Sequence, residues 1–310
     1  MARPVLSESV TVTANAVHAD LLAVLAAVDC GQPLVLTTGG GKTLPSGPFE
    51  VKHRSLQLGL RTWVEQQTHH PLGYLEQLYT FADLDRGVED GRVISISYLG
   101  LTRRSERAMD SGTGWIDWYR YFPWEDYRAG TPACVTRTLA PALEKNASKD
   151  LRQRAARAFG LDGHGWNEEF VLQRYELLYE AGLVAEALRD KGSAEAAHPD
   201  TGFAMHGDHR RILATGVARL RAKIKYRPVV FELMPPAFTL LQLQRSVEAL
   251  SGRLAHKQNF RRLIEQQELV EETGQMASDT GGRPAKLFHF RREIVDERAF
   301  AGTKMPLVRA

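Results

Sequence analysis

Apolar residues recur at two different spacings near the start of the chain. Residues 33–38 (PLVLTT) and 91–101 (GRVISISYLGL) are short runs rich in strand-forming residues, and the second alternates apolar with polar positions, which predicts strands. Residues 55–68 repeat large apolar side chains at helical spacing after Ser55, a suitable N-cap, and so predict a helix. This strand, helix, strand order within residues 10–104 is typical of an α/β or α+β sandwich.

The middle of the chain combines an aromatic segment with helical patterns. Residues 115–127 (WIDWYRYFPWEDY) hold seven aromatic side chains, a density that favours a core or a subunit interface over a base-stacking surface. Residues 147–159 and 167–188 space their apolar side chains as helices do. Residues 191–206 are polar, with Gly, Ser, Asp and Pro and few large apolar side chains, which indicates a linker.

The pattern after the linker predicts a winged helix-turn-helix. Thr239 is followed three residues later by Gln242, the spacing of a capping box, and an amphipathic stripe continues from there. A short turn at residues 251–253 then separates two helical patterns. The predicted elements are helices over residues 209–223, 238–250 and 255–267 and a hairpin built from residues 269–273 and 286–290.

The polar residues of this module point to DNA. The second helix of the pair carries Arg, Lys, Gln and Asn in its first half, the side chains that reach base edges and phosphates in the major groove. Arg283 lies on the tight turn of the hairpin, where it can reach a phosphate or an adjacent groove. The candidate DNA-binding residues are Thr239, His256, Lys257, Gln258, Asn259, Arg261, Arg262, Arg283 and Lys286. A winged helix used for protein contact is the alternative reading.

Composition and charge narrow the class of protein. With 310 residues, 43% of them hydrophobic and 25% charged, the chain is long enough for two domains and is not a disordered or collagen-like sequence. Its apolar run 21–28 is too short to cross a membrane, and two distant cysteines fit a reducing compartment, so we expect a cytoplasmic protein. Residues 206–310 hold 19 Lys and Arg against 11 Asp and Glu, a charge of +8 that suits a polyanion partner.

A degenerate form of a known catalytic motif lies in the N-terminal part. The Nudix box, Gx5Ex7REUxEExGU with U aliphatic, matches the chain at Gly47, Arg61 and Glu65. Its other acidic positions are occupied by His53, Thr62 and Gln66, and Thr68 replaces its second glycine. Because a magnesium site for pyrophosphate needs clustered carboxylates, we expect a Nudix-like fold without a metal site or catalytic residues.

Further segments resemble the NrtR-like transcriptional regulators over nearly the whole chain. Residues 44–50 (LPSGPFE) resemble the Nudix loop LPGGxxE, and residues 121–126 (YFPWED) resemble the WFPxDEL segment of these regulators. Other similar segments are residues 75–86 (LEQLYTFADLDR), 92–99 (RVISISYL), 220–228 (LRAKIKYRP), 238–240 (FTL), 259–262 (NFRR) and 282–288 (GRPAKLF). The degenerate box and the long aromatic and helical middle look most like the NadQ-type branch, repressors of de novo NAD synthesis.

The resemblance implies an α+β protein with a Nudix-like α/β/α sandwich, a helical extension and a C-terminal winged helix-turn-helix. The expected domains are residues 1–190 for effector binding and dimerisation, the linker 191–206, and residues 207–310 for DNA binding. It further implies a homodimer on a palindromic operator, controlled by an adenine nucleotide (NAD, ATP or ADP-ribose) and requiring no cofactor. By the same resemblance, the effector-binding residues are Arg61, Glu65, Tyr79, Phe81, Asp85 and Arg86.

Two rival functions stay open at this point. An active pyrophosphohydrolase would need a rearranged metal site that draws on Glu50, Glu65, Asp83 and Asp85. A protein-interaction adaptor would use the winged helix without DNA, so charge reversal at Arg261 and Arg262 would leave its function intact. Binding of the nucleotide without cleavage distinguishes the regulator from the hydrolase.

Overall fold

The N-terminal module is built on one mixed sheet. The computed structural model describes residues 16–69, 72–82, 91–104, 111–146, 148–277, 284–291 and 293. The strands run in the order β4-β5-β1-β2-β6, with β3 paired to β1, and β1 and β5 are parallel while the other pairs are antiparallel. The strands are β1 (Ala16–Asp29), β2 (Gln32–Thr37), β3 (Ser46–Pro48), β4 (Tyr74–Phe81), β5 (Gly91–Leu101) and β6 (Gly114–Asp117).

Both faces of the central strand are buried. Leu21 and Leu25 belong to a core cluster under helix α1 (Leu56–Thr68), while Leu22 and Val24 belong to the larger core on the other face. A strand covered on both faces has a continuous run of apolar residues in its sequence, because successive side chains point to opposite sides and each side meets apolar neighbours. The apolar run that is too short to cross a membrane is therefore the central strand of the sheet.

Helices cover the second face of the sheet and extend the module. They are α2 (Ala140–Asn146), α3 (Lys149–Phe159), α4 (Val171–Glu180), α5 (Ala185–Asp190) and α6 (His209–Tyr226). The helix predicted over residues 167–188 is two helices, because the chain turns at Gly182, which has a φ of +72°. The aromatic segment is core, as expected, with Trp118, Phe122 and Trp124 at most 1% exposed.

Helix α6 joins the two modules. It packs against α4 and against strands of the sheet, and Gly216 lies so close to Val24 that an added Cβ would stand 2.8 Å from its Cγ1. Its 18 residues give it a length of about 27 Å. The division at residues 191–206 stays a prediction; α6, which that division assigns to the C-terminal domain, completes the core of the N-terminal module.

The C-terminal module has the helix, turn, helix and hairpin order that the sequence predicts. It consists of α7 (Leu240–Ser251), α8 (Lys257–Gln266), β7 (Val270–Ala277) and β8 (Ala285–Phe290). The predicted capping box is present: the Thr239 hydroxyl accepts from the Gln242 amide, and the Gln242 side chain accepts from the Thr239 amide. At the other end of α7, Gly252 closes the helix with a left-handed φ of +72°. Among the described residues, no helix is long and apolar enough to span a membrane.

Candidate functional sites

The second helix of the pair presents its polar residues to solvent. Lys257, Gln258, Asn259, Arg261 and Arg262 are all exposed, and α8 has no fully buried residue. Within the described part of the chain, no acidic side chain pairs with the three cations of this group. Their charge is therefore uncompensated on the face that a major groove would receive.

Phe260 and Ile264 pack this helix onto the module. Both are half-buried against the core. Leu263, on the same helix, is instead 53% exposed. An exposed leucine beside Arg262 adds apolar contact area on the polar face. Since apolar side chains contact the thymine methyl group in the major groove, Leu263 joins the candidate DNA-facing residues.

The predicted DNA-binding residues outside α8 differ in whether their side chains are accessible to DNA. His256 is exposed at the N-terminus of α8 and stays a candidate. Thr239 is only 4% exposed and its hydroxyl is used to cap α7, so its side chain is not available to DNA, which corrects the prediction. Lys286 is exposed on β8, but its ammonium bonds both carboxylate oxygens of Glu272 at 2.7 and 2.9 Å. Arg283 lies outside the described residues.

A cavity of about 990 Å³ lies between the sheet and the helices on its second face. Its floor is formed by β1 and β5, and its walls by α4, the end of α5 and the first turn of α6. The polar lining side chains are Asp20, Ser46, Ser95, Tyr175, Glu176, Tyr179, Arg189, Asp190, Lys191, Asp208, His209 and Arg211. Volumes of this size are typical of sites for small organic ligands.

The charges of the cavity are mixed. Three cations face four carboxylates, and two of the cations are already paired: Arg211 bonds Glu176 at 2.8 Å and Arg189 bonds Asp190 at 2.9 Å. Lys191 has no ion pair within the described part of the chain. Burial, followed by the hydrogen bond to Asp190, raises the pKa of Tyr179 to about 12, so its hydroxyl stays protonated at neutral pH.

The structure brings two of the predicted effector residues to the edge of this cavity. Phe81 pairs in register with Ser95, a lining residue, and its ring lies 5.5 Å from the guanidinium carbon of Arg211. Tyr79 is 60% exposed, and its ring lies 5.0 Å from that of Phe81 at an angle of 68°. An exposed aromatic ring beside a polar cavity is suited to stacking on a planar base.

Two of the other predicted effector residues, Arg61 and Glu65, do not join them. Arg61 and Glu65 lie on α1, which covers the opposite face of the sheet from the cavity. Arg61 does not pair with Glu65; it donates to the carbonyl oxygens of Leu72 at 2.5 Å and Gly73 at 3.1 Å, which fixes the loop before β4. Asp85 and Arg86 lie outside the described residues.

A buried ionic cluster connects this module to the winged helix. Glu125, 1% exposed, accepts from Arg174 at 2.5 and 2.8 Å and from Arg221 at 2.5 Å, and both arginines are fully buried. Arg221 also donates to the carbonyl oxygen of Leu250 at 2.9 Å, at the C-terminal end of α7. We call Glu125, Arg174 and Arg221 the Glu125 cluster. The sequence shows Glu125 only as a polar position in an aromatic segment, and nothing in it indicates the two arginine partners.

The start of α6 is held just as firmly beside the cavity. Arg210, fully buried, bonds Glu186 at 3.1 Å and donates to the backbone carbonyls of Tyr121 and Thr201. Burial lowers the pKa of the Arg210 guanidinium. The neighbouring His209 accepts from the Leu44 amide at 2.8 Å through Nδ1, which ties α6 to the loop that precedes β3. One helix therefore contacts the cavity at its first turn and the winged helix at its last turns.

The C-terminal module matches a known family of DNA-binding domains. Residues 230–290 match the NrtR DNA-binding winged helix domain, so this module is a winged helix of the NrtR type. A segment of 89 residues is 39% identical to the ADPR responsive transcriptional repressor NtrR of Acinetobacter baylyi. The segment covers 29% of this chain and 35% of that protein, about a third of its length.

Most of the chain shares its fold with solved NrtR. The crystal structure of Shewanella oneidensis NrtR with a 27mer DNA matches at a TM-score of 0.54 and 20% identity, over 89% of this chain and 95% of that one. A MutT/nudix family protein of Enterococcus faecalis matches at 0.52 and 14% identity, over 94% and 90%. The predicted α+β class and the resemblance to NrtR-like regulators are confirmed, whereas the NadQ-type branch stays a prediction.

Proposed function

We propose that this protein is a transcriptional repressor of NAD biosynthesis genes. It binds an operator through α8 and the β7–β8 wing. The observation that carries the proposal is the NrtR-type DNA-binding domain at residues 230–290, whose second helix exposes three cations that no acid in the described residues neutralises. By analogy with the family, a homodimer presents two such helices to the two halves of a palindromic site.

The cavity between the sheet and α6 is the effector site. Its volume suits a nucleotide, Tyr79 offers a ring for a base, and Lys191 offers an ammonium for a phosphate. ADP-ribose is the effector named for the Acinetobacter relative. Four carboxylates in the lining disfavour the strongly charged triphosphate of ATP, since like charges repel. ADP-ribose or NAD therefore fits the lining better than ATP.

Helix α6 carries the response from the cavity to the DNA. A nucleotide that bonds Arg211 or His209 acts on the first turn of α6, and the Glu125 cluster ties the other end of that helix to α7. A ligand can shift DNA affinity only if it binds one arrangement of the two modules better than the other. Because α6 is held by buried contacts at both ends, a shift of its first turn on nucleotide binding is passed on to α7 and the winged helix.

We infer that the Nudix-like module binds its nucleotide without hydrolysing it. The box positions that hold acids in hydrolases are His53, Thr62 and Gln66 here. Within the described residues, no cluster of three or more His, Cys, Asp or Glu is arranged to hold a metal ion. Incubation of the purified protein with ADP-ribose and Mg²⁺, followed by chromatography, is expected to return the nucleotide intact; release of AMP and ribose phosphate would contradict the inference.

Operator binding tests the proposal. A pool of random duplexes enriched on the purified protein should converge on a palindrome, and adding ADP-ribose or NAD should change the affinity for that palindrome at fixed salt. Charge reversal of Arg261 and Arg262 should abolish the enrichment. If the pool does not converge, or if the reversed variant selects the same sequence, the repressor proposal fails.

A further inference from the structure

A second basic surface lies on the N-terminal module, away from the winged helix. A groove of about 530 Å³ runs along α3 and is lined by Lys149, Arg152, Gln153, Arg157, Asp162 and His164. All six side chains are exposed. Asp162 is the one acid among them, so the groove carries a net positive charge.

The cations of this groove lack the ion pairs that Arg154, on the same helix, makes. Arg154 bonds Asp150 at 2.7 Å and Glu180 at 2.8 Å. Lys149, Arg152 and Arg157 have no ion pair within the described part of the chain. Three unneutralised like charges on one helix face repel one another, and an anion placed in the groove relieves that repulsion.

The groove is connected to the helix-turn-helix by the loop that follows α3. This loop contains His164 and continues to Trp166 and Glu168. Arg253, in the turn between α7 and α8, bonds Glu168 at 3.1 Å, and its guanidinium carbon lies 5.7 Å from the Trp166 ring. The same loop therefore lines the basic groove and contacts the turn of the DNA-binding motif.

We propose that the α3 groove binds the DNA backbone outside the bases read by α8. The proposal rests on the proposed function, because it extends the same DNA surface. From Lys149 to Arg157 the helix rises about 12 Å, which matches the axial rise of about three phosphates along one strand. Small anions are a poorer match, because the exposed groove has no buried polar side chain to hold a single phosphate.

The salt dependence of DNA binding tests this groove. The triple variant K149Q/R152Q/R157Q is compared with R54Q/R103Q/R137Q, which removes the same charge from three exposed positions outside the groove. Each phosphate contact contributes about 0.9 to the slope of log K against log salt, so the groove variant should lose up to about 2.7. The control variant should keep the wild-type slope, and circular dichroism and urea unfolding should show both variants folded.

A length series locates the contact. The selected operator is measured alone and with about 10 added base pairs, one helical turn, on each side. The wild type should bind the longer duplex more tightly by about tenfold, and the groove variant should bind both equally. An unchanged slope in the groove variant, or an equal loss in the control, would overturn the proposal and leave the repressor function standing.

Two other outcomes also decide against the groove as a DNA contact. If inorganic phosphate raises the melting temperature of the wild type but not of the groove variant, while the DNA slopes agree, the groove holds a small anion instead. If the wild type enriches no sequence and binds no duplex, the proposed function fails and this inference fails with it.

Discussion

The Glu125 cluster gives the sharpest test of how the fold is held together. Substituting Glu125 by Gln keeps the size of the side chain and removes the charge that two fully buried guanidinium groups share. Breaking a buried pair in this way costs about 3–5 kcal/mol, because an uncompensated charge is left in the interior. That loss is a large part of the 5–15 kcal/mol that typically stabilises a domain.

Equilibrium unfolding in urea, followed by circular dichroism, measures this cost. The control is R154Q, which removes the two exposed ion pairs of Arg154, with Asp150 on α3 and Glu180 on α4; exposed pairs contribute only about 0–1 kcal/mol each. The Glu125→Gln variant should also show a weaker effect of the nucleotide on operator affinity, since Arg221, whose bond to the Leu250 carbonyl ties α6 to α7, would lose the charge of its carboxylate partner. An unfolding free energy within 1 kcal/mol of wild type would refute the argument.

Three further predictions follow from the two candidate sites and from the junction between modules. Arg262→Ala should weaken operator binding by about 1–3 kcal/mol if the side chain reads a base, and unchanged binding in a gel-shift titration would exclude that role. Lys191→Gln should weaken nucleotide binding by about 1.5–3 kcal/mol in calorimetry and leave the DNA affinity without nucleotide unchanged. The control Glu65→Gln should change neither the nucleotide affinity nor the DNA affinity. Burial acts to raise the pKa of Glu168, but the hydrogen bond from Lys225, a backbone hydrogen bond and the charges of Lys225 and Arg253 together outweigh it and lower the pKa. These contacts therefore stabilise the fold above the unfolded-state pKa of about 4.3. This stabilisation should be lost as the pH falls through the folded-state value, and the melting temperatures of wild type and Glu168→Gln should converge there; a constant difference would contradict it.

Local patterns were enough to predict the winged helix. The capping box at Thr239 and Gln242 and the amphipathic stripes of α7 and α8 are set by neighbours within a few residues, so the sequence displays them directly. The sequence pattern does not reveal strand β1, because a strand buried on both faces lacks the alternation that marks a half-buried strand. The break between α4 and α5 is also not visible in the sequence, because the helical spacing of apolar residues continues across Gly182.

The cavity and the Glu125 cluster could not be predicted, for a different physical reason. Asp20, Ser95 and Arg211 come from β1, β5 and α6, and only the packing of those elements brings them to one site. Glu125 and Arg221 are 96 positions apart in the chain, and neither local propensity nor charge count indicates that they pair. The family resemblance suggests Tyr79, Phe81 and Arg61 as effector-binding residues; the Phe81 ring lies 5.5 Å from the guanidinium carbon of Arg211 in the cavity lining, whereas Arg61 holds a loop on the other face of the sheet.

We propose that a nucleotide in the N-terminal module controls binding of the winged helix to DNA. The most direct measurement is the affinity of the purified protein for its selected operator at fixed salt, titrated with ADP-ribose, NAD and ATP in turn. We expect specific binding that ADP-ribose or NAD changes more than ATP does, with the response lost in Lys191→Gln. Specific binding that no nucleotide alters would contradict the claim, as would a response that survives in the Lys191 variant.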